Sequence, residues 1–323
     1  MKFKAWLPQA IIAAAVLLVL YALASIVAAK MRMLGVEPGF GFLSQRAGFD
    51  IGDSRIAFDA ADSYGRAFLV GLINTVSVAA VAIVASVALG GAVGLGQLSR
   101  NRLLSWLCEA HVEVFRNVPL LLQLLIVYVL LIGRLPLPHE AVQLGPDIWL
   151  SKSGLALPWP VWGANGLTLD KPVLGLFTFS GGAMLSPEFM AVAAALTFYT
   201  SAYIAETVRG AVQSVSQRQT EAALALGLSE TQTLRFIVVP QALRSMIPPL
   251  ANQLLNLIKN SSLAVAVGYP DLVAVADTTL NQSGHAVECI AIIMAVYLLL
   301  SFLTAALMGG WHARLLRRQR GRA

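Results

Sequence analysis

Read for hydrophobic and polar positions, the chain is a series of long apolar runs separated by charged or turn-rich segments. Charge-free windows lie at 10–29, 67–99, 117–133, 189–205 and 289–312, and a sixth, 245–270, is interrupted only by Lys259. A helix rising 1.5 Å per residue needs about 20 apolar residues to cross a ~30 Å hydrocarbon core. Six membrane-crossing helices are predicted. The first window follows Lys2 and Lys4 and contains Ala22-Leu23-Ala24, as a cleaved signal peptide does. It runs well past the roughly 7–15 residues usual for such a segment, so a retained helix is expected.

Basic residues orient the helices. With the N-terminus inside, the segments 1–9, 99–117, 207–248 and 310–323 are cytoplasmic and hold 14 of the 23 Lys and Arg residues. The segments 30–66, 134–187 and 269–286 are external and hold 8. The tail Arg314, Arg317, Arg318, Arg320 and Arg322 weighs most, because positive charge is retained on the cytoplasmic side. Both termini are expected in the cytoplasm. The segment 134–187, with Pro136, Pro138, Pro146, Pro158 and Pro160, reads as an external loop with little regular helix.

Composition narrows the class. Of the 323 residues, 57% are hydrophobic and 12% charged, against roughly 25% charged in soluble domains. That excludes a soluble enzyme. The net charge of +6 reflects membrane orientation, and no nucleic-acid partner is expected. Cys108 and Cys289 form neither a disulfide framework nor a metal spacing. His111, His139, His285 and His312 are scattered, so no metal site and no catalytic residue is assigned.

The segment 220–240 carries the most specific signal. Thr220 is an N-cap candidate and Glu221 favours a helix start. Small Ala222 and Ala223 leave a face open to close approach, and Gly227 supplies a left-handed C-terminal position. Ser229 with Gln232 reads as a capping box for a second helix, which Pro240 is expected to limit. In the window 245–270, Asn252, Asn256, Lys259 and Asn260 share one helical face. Lys259 lies about 15 Å into the core, where a charge usually faces a cavity or partner. Two readings stand: a stripe lining a translocation path, or a structural residue capping carbonyls or pairing with an acid. Glu206 and Arg209, at i and i+3, read first as an intrahelical pair; the other reading is contact with the segment 220–240.

The spacing Glu221-Ala222-Ala223, Gly227, Ile237, Pro240 resembles the signature of the membrane subunits of ATP-binding-cassette importers, with Val239 in place of the usual Leu. Gly71-Leu72-Ile73-Asn74-Thr75, Glu113 to Pro119, Tyr203 to Gly210 and Lys259 to Leu263 are similar to polar amino-acid uptake permeases. The stretch from Gly41 to Phe68 resembles the first permease of general L-amino-acid importers. The resemblance implies an all-α membrane protein of the type I importer fold. A five-helix core would follow one N-terminal helix and carry a cytoplasmic helix-turn-helix coupling loop. It further implies that Glu221, Ala222, Ala223, Gly227, Ile237 and Pro240 meet an ATPase subunit dimer. The chain has no phosphate-binding loop, so ATP and Mg are expected in that partner and no cofactor in this chain. Other implied partners are a second permease subunit, homologous or identical, a periplasmic amino-acid-binding protein and the lipid of a bacterial inner membrane. The layout is 1–66 as N-terminal helix and external loop, 67–311 as permease domain with coupling loop 207–248, and 312–323 as basic tail.

Rival classes make different demands. An ion-coupled secondary transporter would show inverted repeats and paired broken helices. A membrane-embedded enzyme would need acids, histidines or nucleophiles clustered at membrane depth. Neither pattern is found in the sequence.

Overall fold

In the computed structural model, which describes residues 3–33, 38–163, 166–175 and 179–320, the membrane region is organised by two helices in unusually close contact. Helix α1 (Phe3–Met33) precedes them, with apolar side chains such as Ile11, Ile12, Leu17 and Leu18 exposed. Helix α2 (Tyr64–Gln97) opens at Ser63, whose hydroxyl accepts from the Arg66 N–H. At 34 residues it is about 50 Å long, more than a bilayer core requires. Helix α5 (Pro187–Gln213) opens at Ser186, which accepts from the Phe189 N–H, with Pro187 at the tolerated first position.

Gly90 and Gly94 make the α2–α5 contact possible. A Cβ at Gly94 would sit 2.6 Å from the Ala205 carbonyl oxygen, and one at Gly90 would sit 2.7 Å from both Ile204 Cβ and the Ser201 carbonyl oxygen. The four-residue spacing places both glycines on one face. Among membrane helices such small-residue seams admit the close packing that apolar burial cannot drive in lipid.

Helix α3 (Arg102–Asn117) is capped by Asn101, which accepts from the Leu103 and Leu104 N–H groups. It buries Cys108 and Val112 against Val93 and Ala205. The chain then turns through 107° at Val118-Pro119 into α4 (Leu120–Arg134). After the α5–α8 connection described below, α8 (Val239–Asn260) continues through a tight helical turn, Ser261–Val267. Gly268, at φ +79°, and Asp271, which caps the Ala274 N–H, break the path by 54° into α9 (Leu272–Ser283). Helix α10 (Ala286–Arg320) closes the chain and presents Ile290, Met294, Leu298, Phe302 and Leu307 outward.

Three of these helices, α2, α5 and α10, are long and apolar enough to cross a membrane, or up to five spans if each bent pair counts as one. Helix α1 holds a shorter apolar stretch, Pro8–Val19. The window 117–133 thus corresponds to α4, only 15 residues or about 22 Å, with α3 bent away from it.

The all-α expectation is corrected at 134–187. Among the described residues eight short strands form there: β1 (Val142–Gly145), β2 (Ile148–Ser151), β3 (Gly154–Leu157), β4 (Trp159–Gly163), β5 (Gly166–Asp170), β6 (Val173–Leu174), β7 (Phe179–Ser180) and β8 (Ala183–Leu185). They pair antiparallel in the order β1-β2-β3-β8, with β4-β5 and β6-β7 as separate ribbons. Residues at positive φ, among them Asp147, Gly154 and Gly166, make the reversals. Strands of two to five residues leave no period to read, and the prolines masked them.

The segment before α2 is packed down rather than free. Phe42 is buried and stacks on His285 at 4.4 Å, and the Gly39 N–H donates to Glu288 at 2.7 Å. Asn74 of α2 donates to the carbonyls of Asp53 (2.7 Å) and Pro270 (2.9 Å), tying this segment to the α8–α9 break.

The seam yields a paired prediction. Gly94→Val should lower the thermal midpoint of the purified protein, since overpacking of this kind costs about 1–3 kcal/mol. Gly91, whose Cβ would meet nothing within 4 Å, should accept Ala with no loss, because Ala gains up to about 1 kcal/mol over Gly in a helix. Equal midpoints for the two variants would contradict the seam.

Candidate functional site: a helical hairpin joined to a polar helix face

The connection from α5 to α8 begins with α6 (Gln217–Ala225). Its N-cap is Ser216, so Thr220 lies inside the helix and the expected cap is corrected by one turn. Glu221 and Ala222 are exposed, whereas Ala223 is buried. Gly227 adopts φ +84°. The Gly227 N–H donates to the Leu224 carbonyl at 2.9 Å and the Leu228 N–H to the Ala223 carbonyl at 3.2 Å. That pair of bonds is the Schellman arrangement, which satisfies carbonyls the helix end would otherwise leave open.

Ser229 then opens α7 (Glu230–Thr233) with a complete capping box. Its hydroxyl accepts from the Gln232 N–H at 3.2 Å, and its own N–H donates to Gln232 Oε1 at 2.8 Å. Pro240 does not end this helix. A π-helical turn, Leu234–Val238, carries α7 directly into α8, with Pro240 in the first turn of α8. Proline lacks an N–H and its ring would clash with the carbonyl four residues back. A wider turn ahead of it, with the Val239 N–H reaching the Leu234 carbonyl, accommodates the ring without stopping the chain. Ile237 is half-buried, and its carbonyl accepts from Gln241 Nε2 at 3.0 Å.

Sequence reading missed the hairpin's surface. Leu226 is 84% exposed and Phe236 58%, with Leu224 and Leu234 also outward. Large apolar side chains on a short polar-flanked hairpin are costly in water and suit a contact with another protein. Their signal was available: Leu224, Leu226, Leu234 and Phe236 lie in a short segment interrupted by Gly227, Ser229 and Glu230, too little chain to bury four such side chains on itself.

Helix α8 carries the second part of the site. Leu250, Leu254, Leu257 and Ile258 are buried, in clusters shared with α5. Asn252, Asn256 and Lys259 lie together on the opposite, exposed face, with Asn260 half-buried at the helix end. Among the described residues Lys259 has no ion-pair partner. The structure therefore brings the stripe together on a surface this chain leaves open.

Glu206 does more than pair within its helix. Arg209 donates to it through Nε (3.1 Å) and Nη2 (2.8 Å), Gln97 of α2 through Nε2 (3.2 Å), and Arg116 of α3 lies 3.6 Å away. These groups line a cleft of about 650 Å³ with Trp106, Glu109 and Glu113. The carboxylate ties α5 to α2 and α3, not to the hairpin. The hairpin is tied to α8 by a hydrogen bond from Gln241 to Gln219, and to the α2–α3 connection by Arg100 with Glu230 at 2.7 Å, an exposed pair of small energetic weight.

Known proteins bear on this geometry. The family described as "Binding-protein-dependent transport system inner membrane component" matches residues 86–320. The general L-amino acid transport system permease protein AapQ of Rhizobium johnstonii is 42% identical, over 86% of this chain and 83% of its own length. The amino-acid ABC transporter permease protein YhdX of Escherichia coli, a name given there as provisional, is 38% identical over 97% of this chain and 94% of its own. The glutamate/glutamine/aspartate/asparagine permease protein BztB of Rhodobacter capsulatus is 31% identical over 85% and 84%. An amino acid ABC transporter crystallised with histidines superposes with TM-score 0.57 at 24% identity, over 78% of this chain and 95% of that one. The methionine transporter MetNI in an inward-facing state gives 0.54 at 17%, over 78% and 97%. With the apolar helices described above, these matches make the chain a multi-pass membrane protein with the type I importer permease fold, and it belongs to the family of binding-protein-dependent transport system inner membrane components.

Proposed function

We propose that the chain is the permease subunit of an ATP-driven importer that passes polar or general L-amino acids from a periplasmic binding protein to the cytoplasm. The observation that carries this reading is the run of amino-acid permeases matched at 31–42% identity along most of their length. The geometry supports it in two places. The α6–α7 hairpin offers exposed Leu226 and Phe236 beside Glu221 and Ala222, a surface suited to a socket on an ATPase subunit. The open α8 face suits a path shared with a second permease subunit, homologous or identical.

In this reading six helices cross the inner membrane, α1 being the first, and both termini are cytoplasmic. Residues 1–66 form the N-terminal helix and external segment, 67–311 the permease domain with coupling loop 207–248, and 312–323 a basic tail. ATP and Mg belong to the partner ATPase dimer, and this chain performs no catalysis. Ala223 and Gly227 set the hairpin's shape. Glu221 and Ala222 meet the ATPase, and Ile237 with Pro240 transmit its movement into α8. Asn252, Asn256, Lys259 and Asn260 face the passing amino acid, with Lys259 drawing its carboxylate. The reading is tested by uptake into proteoliposomes holding the full complex. It requires dependence on both ATP and binding protein, with no effect of ionophores; ATP-independent uptake abolished by an ionophore would refute it.

Two variants probe the parts. A Cβ at Gly227 meets nothing within 4 Å, so substitution there tests backbone conformation alone. Gly227→Val should leave membrane abundance near wild type while removing most binding-protein-stimulated ATP hydrolysis, since a left-handed β-branched residue is disfavoured by about 1–2 kcal/mol or more. Gly227→Asn should retain stimulation, because Asn tolerates that region. Equal stimulation in both would detach the turn from coupling.

Lys259→Met keeps the stem and removes the charge. Uptake per assembled complex should fall about tenfold, the equivalent of roughly 1.4 kcal/mol of lost attraction, with subunit assembly intact on immunoblots. Normal uptake per complex with poor assembly would make Lys259 structural.

A further inference from the structure

Helix α4 turns Leu122, Ile126, Val129 and Leu130 outward, each 47–66% exposed. In a multi-pass membrane protein such an apolar face is suited to acyl chains. It does not end where the helix ends. It runs into a groove of about 430 Å³ between Val127, Leu130 and Leu131 of α4 and Val142 and Leu150 of the β1–β2 hairpin. Arg134, the last residue of α4, stands on the same lining as its one charged group. It is exposed, and among the described residues it forms no ion pair and no side-chain hydrogen bond. The strands were not foreseen from sequence, and neither was this groove.

The chemistry of the groove specifies an amphiphile. Its walls are aliphatic and continuous with the lipid-facing side of a membrane helix, so water is a poor occupant. Its rim holds one guanidinium at the end of a membrane helix, the level at which phospholipid phosphates lie and toward which arginines extend. Guanidinium matches a phosphate with two parallel N–H donors. A protein segment seated there would have to bring both an apolar surface and an acid to that depth. A phospholipid supplies both from the adjoining bilayer. We propose that this groove is a phospholipid site: one acyl chain lies between α4 and the β1–β2 hairpin, with the phosphate on Arg134. The lipid would fasten the β-stranded insert against the end of α4 and so hold the insert in place above the membrane.

The test uses the full transporter complex in nanodiscs containing a photoactivatable phosphatidylglycerol with a diazirine in its acyl chain. Adducts are mapped by mass spectrometry on this chain. Groove residues Leu131, Val142 and Leu150 are compared with Phe302 on the open face of α10, which reports ordinary annular lipid. Groove adducts in the wild type should persist at dilutions of probe where Phe302 labelling fades, and unlabelled phosphatidylglycerol should displace them. Arg134→Gln should lose most of the groove labelling, and Val142→Trp, which fills the groove from an exposed strand position, should abolish it. Phe302 labelling should not change in either. Groove and Phe302 labelling that fade together, or groove labelling indifferent to Arg134→Gln, would overturn the site. So would exclusion of the probe by a cross-linkable protein neighbour at Val142. Because Arg134 is exposed and unpaired among the described residues, its variant keeps the test decisive even if Val142→Trp does not assemble.

Discussion

Backbone-close contact between α2 and α5 is the constraint to which the other helices conform. In a bilayer, apolar side chains gain nothing by leaving lipid for one another, so association rests on dispersion contacts and polar links at short range. Gly90 and Gly94 supply that approach. The same seam receives α3, whose Cys108 lies where a Cβ on Gly96 would come within 2.5 Å of the sulfur. The same stretch of α5, through Ile204 and Val208, forms the shelf on which Ile247, Leu250 and Leu254 of α8 rest. Glu206 adds a polar lock between α5, α2 and α3 at one end. The opposite end is closed by Asn74 and the buried segment around Phe42.

Against that frame, the chain from Glu230 to Val267 runs as one helical path of changing pitch. Its beginning is fixed by the Ser229 capping box and the Gly227 turn, and Pro240 is absorbed by the π turn. The apolar side of α8 is packed on α5 and α10, and among the described residues its polar side is left exposed at Asn252, Asn256 and Lys259. Lys259 at membrane depth would cost at least ~2.5–3.5 kcal/mol on insertion scales if it faced lipid. The hairpin and the stripe are therefore joined by a single helical path, the first exposing Leu226 and Phe236 and the second exposing Asn252, Asn256 and Lys259; the proposed function turns the first to a soluble partner and the second to a polar path.

Much of this was legible in the sequence because it rests on local rules. A glycine just past the last turn of a short helix, a Ser three residues before a Gln, and polar residues at i, i+4, i+7 and i+8 each have one economical structural meaning. The misses are equally local. Thr220 and Ser216 are both competent caps, and only tertiary context chose the earlier one. Pro240 is acceptable at the end of one helix or the start of the next, and a π turn leaves no residue signature. The β-stranded insert has strands too short for periodicity, and its prolines and glycines suggested irregular chain. Gly90 and Gly94 were counted as part of an apolar run, although their four-residue spacing already marked a packing seam. The 107° bend at Pro119 was half visible, since a charge-free window of 17 residues is short for a membrane crossing.

The central claim is that the hairpin and the polar stripe move as one body. It can be measured by pulsed electron spin resonance between labels at the exposed positions Thr231 and Asn256, in a background lacking Cys108 and Cys289, in the assembled complex. The two sites are 25 positions apart in the sequence, about 37 Å along a helix, within range of the method. The account predicts one narrow distance distribution that is the same without nucleotide and with ATP bound. A distance between Thr231 and Arg102 on α3 should change between the two states. A shifted or second distance for the Thr231–Asn256 pair would place a hinge in the π turn and contradict the rigid connection.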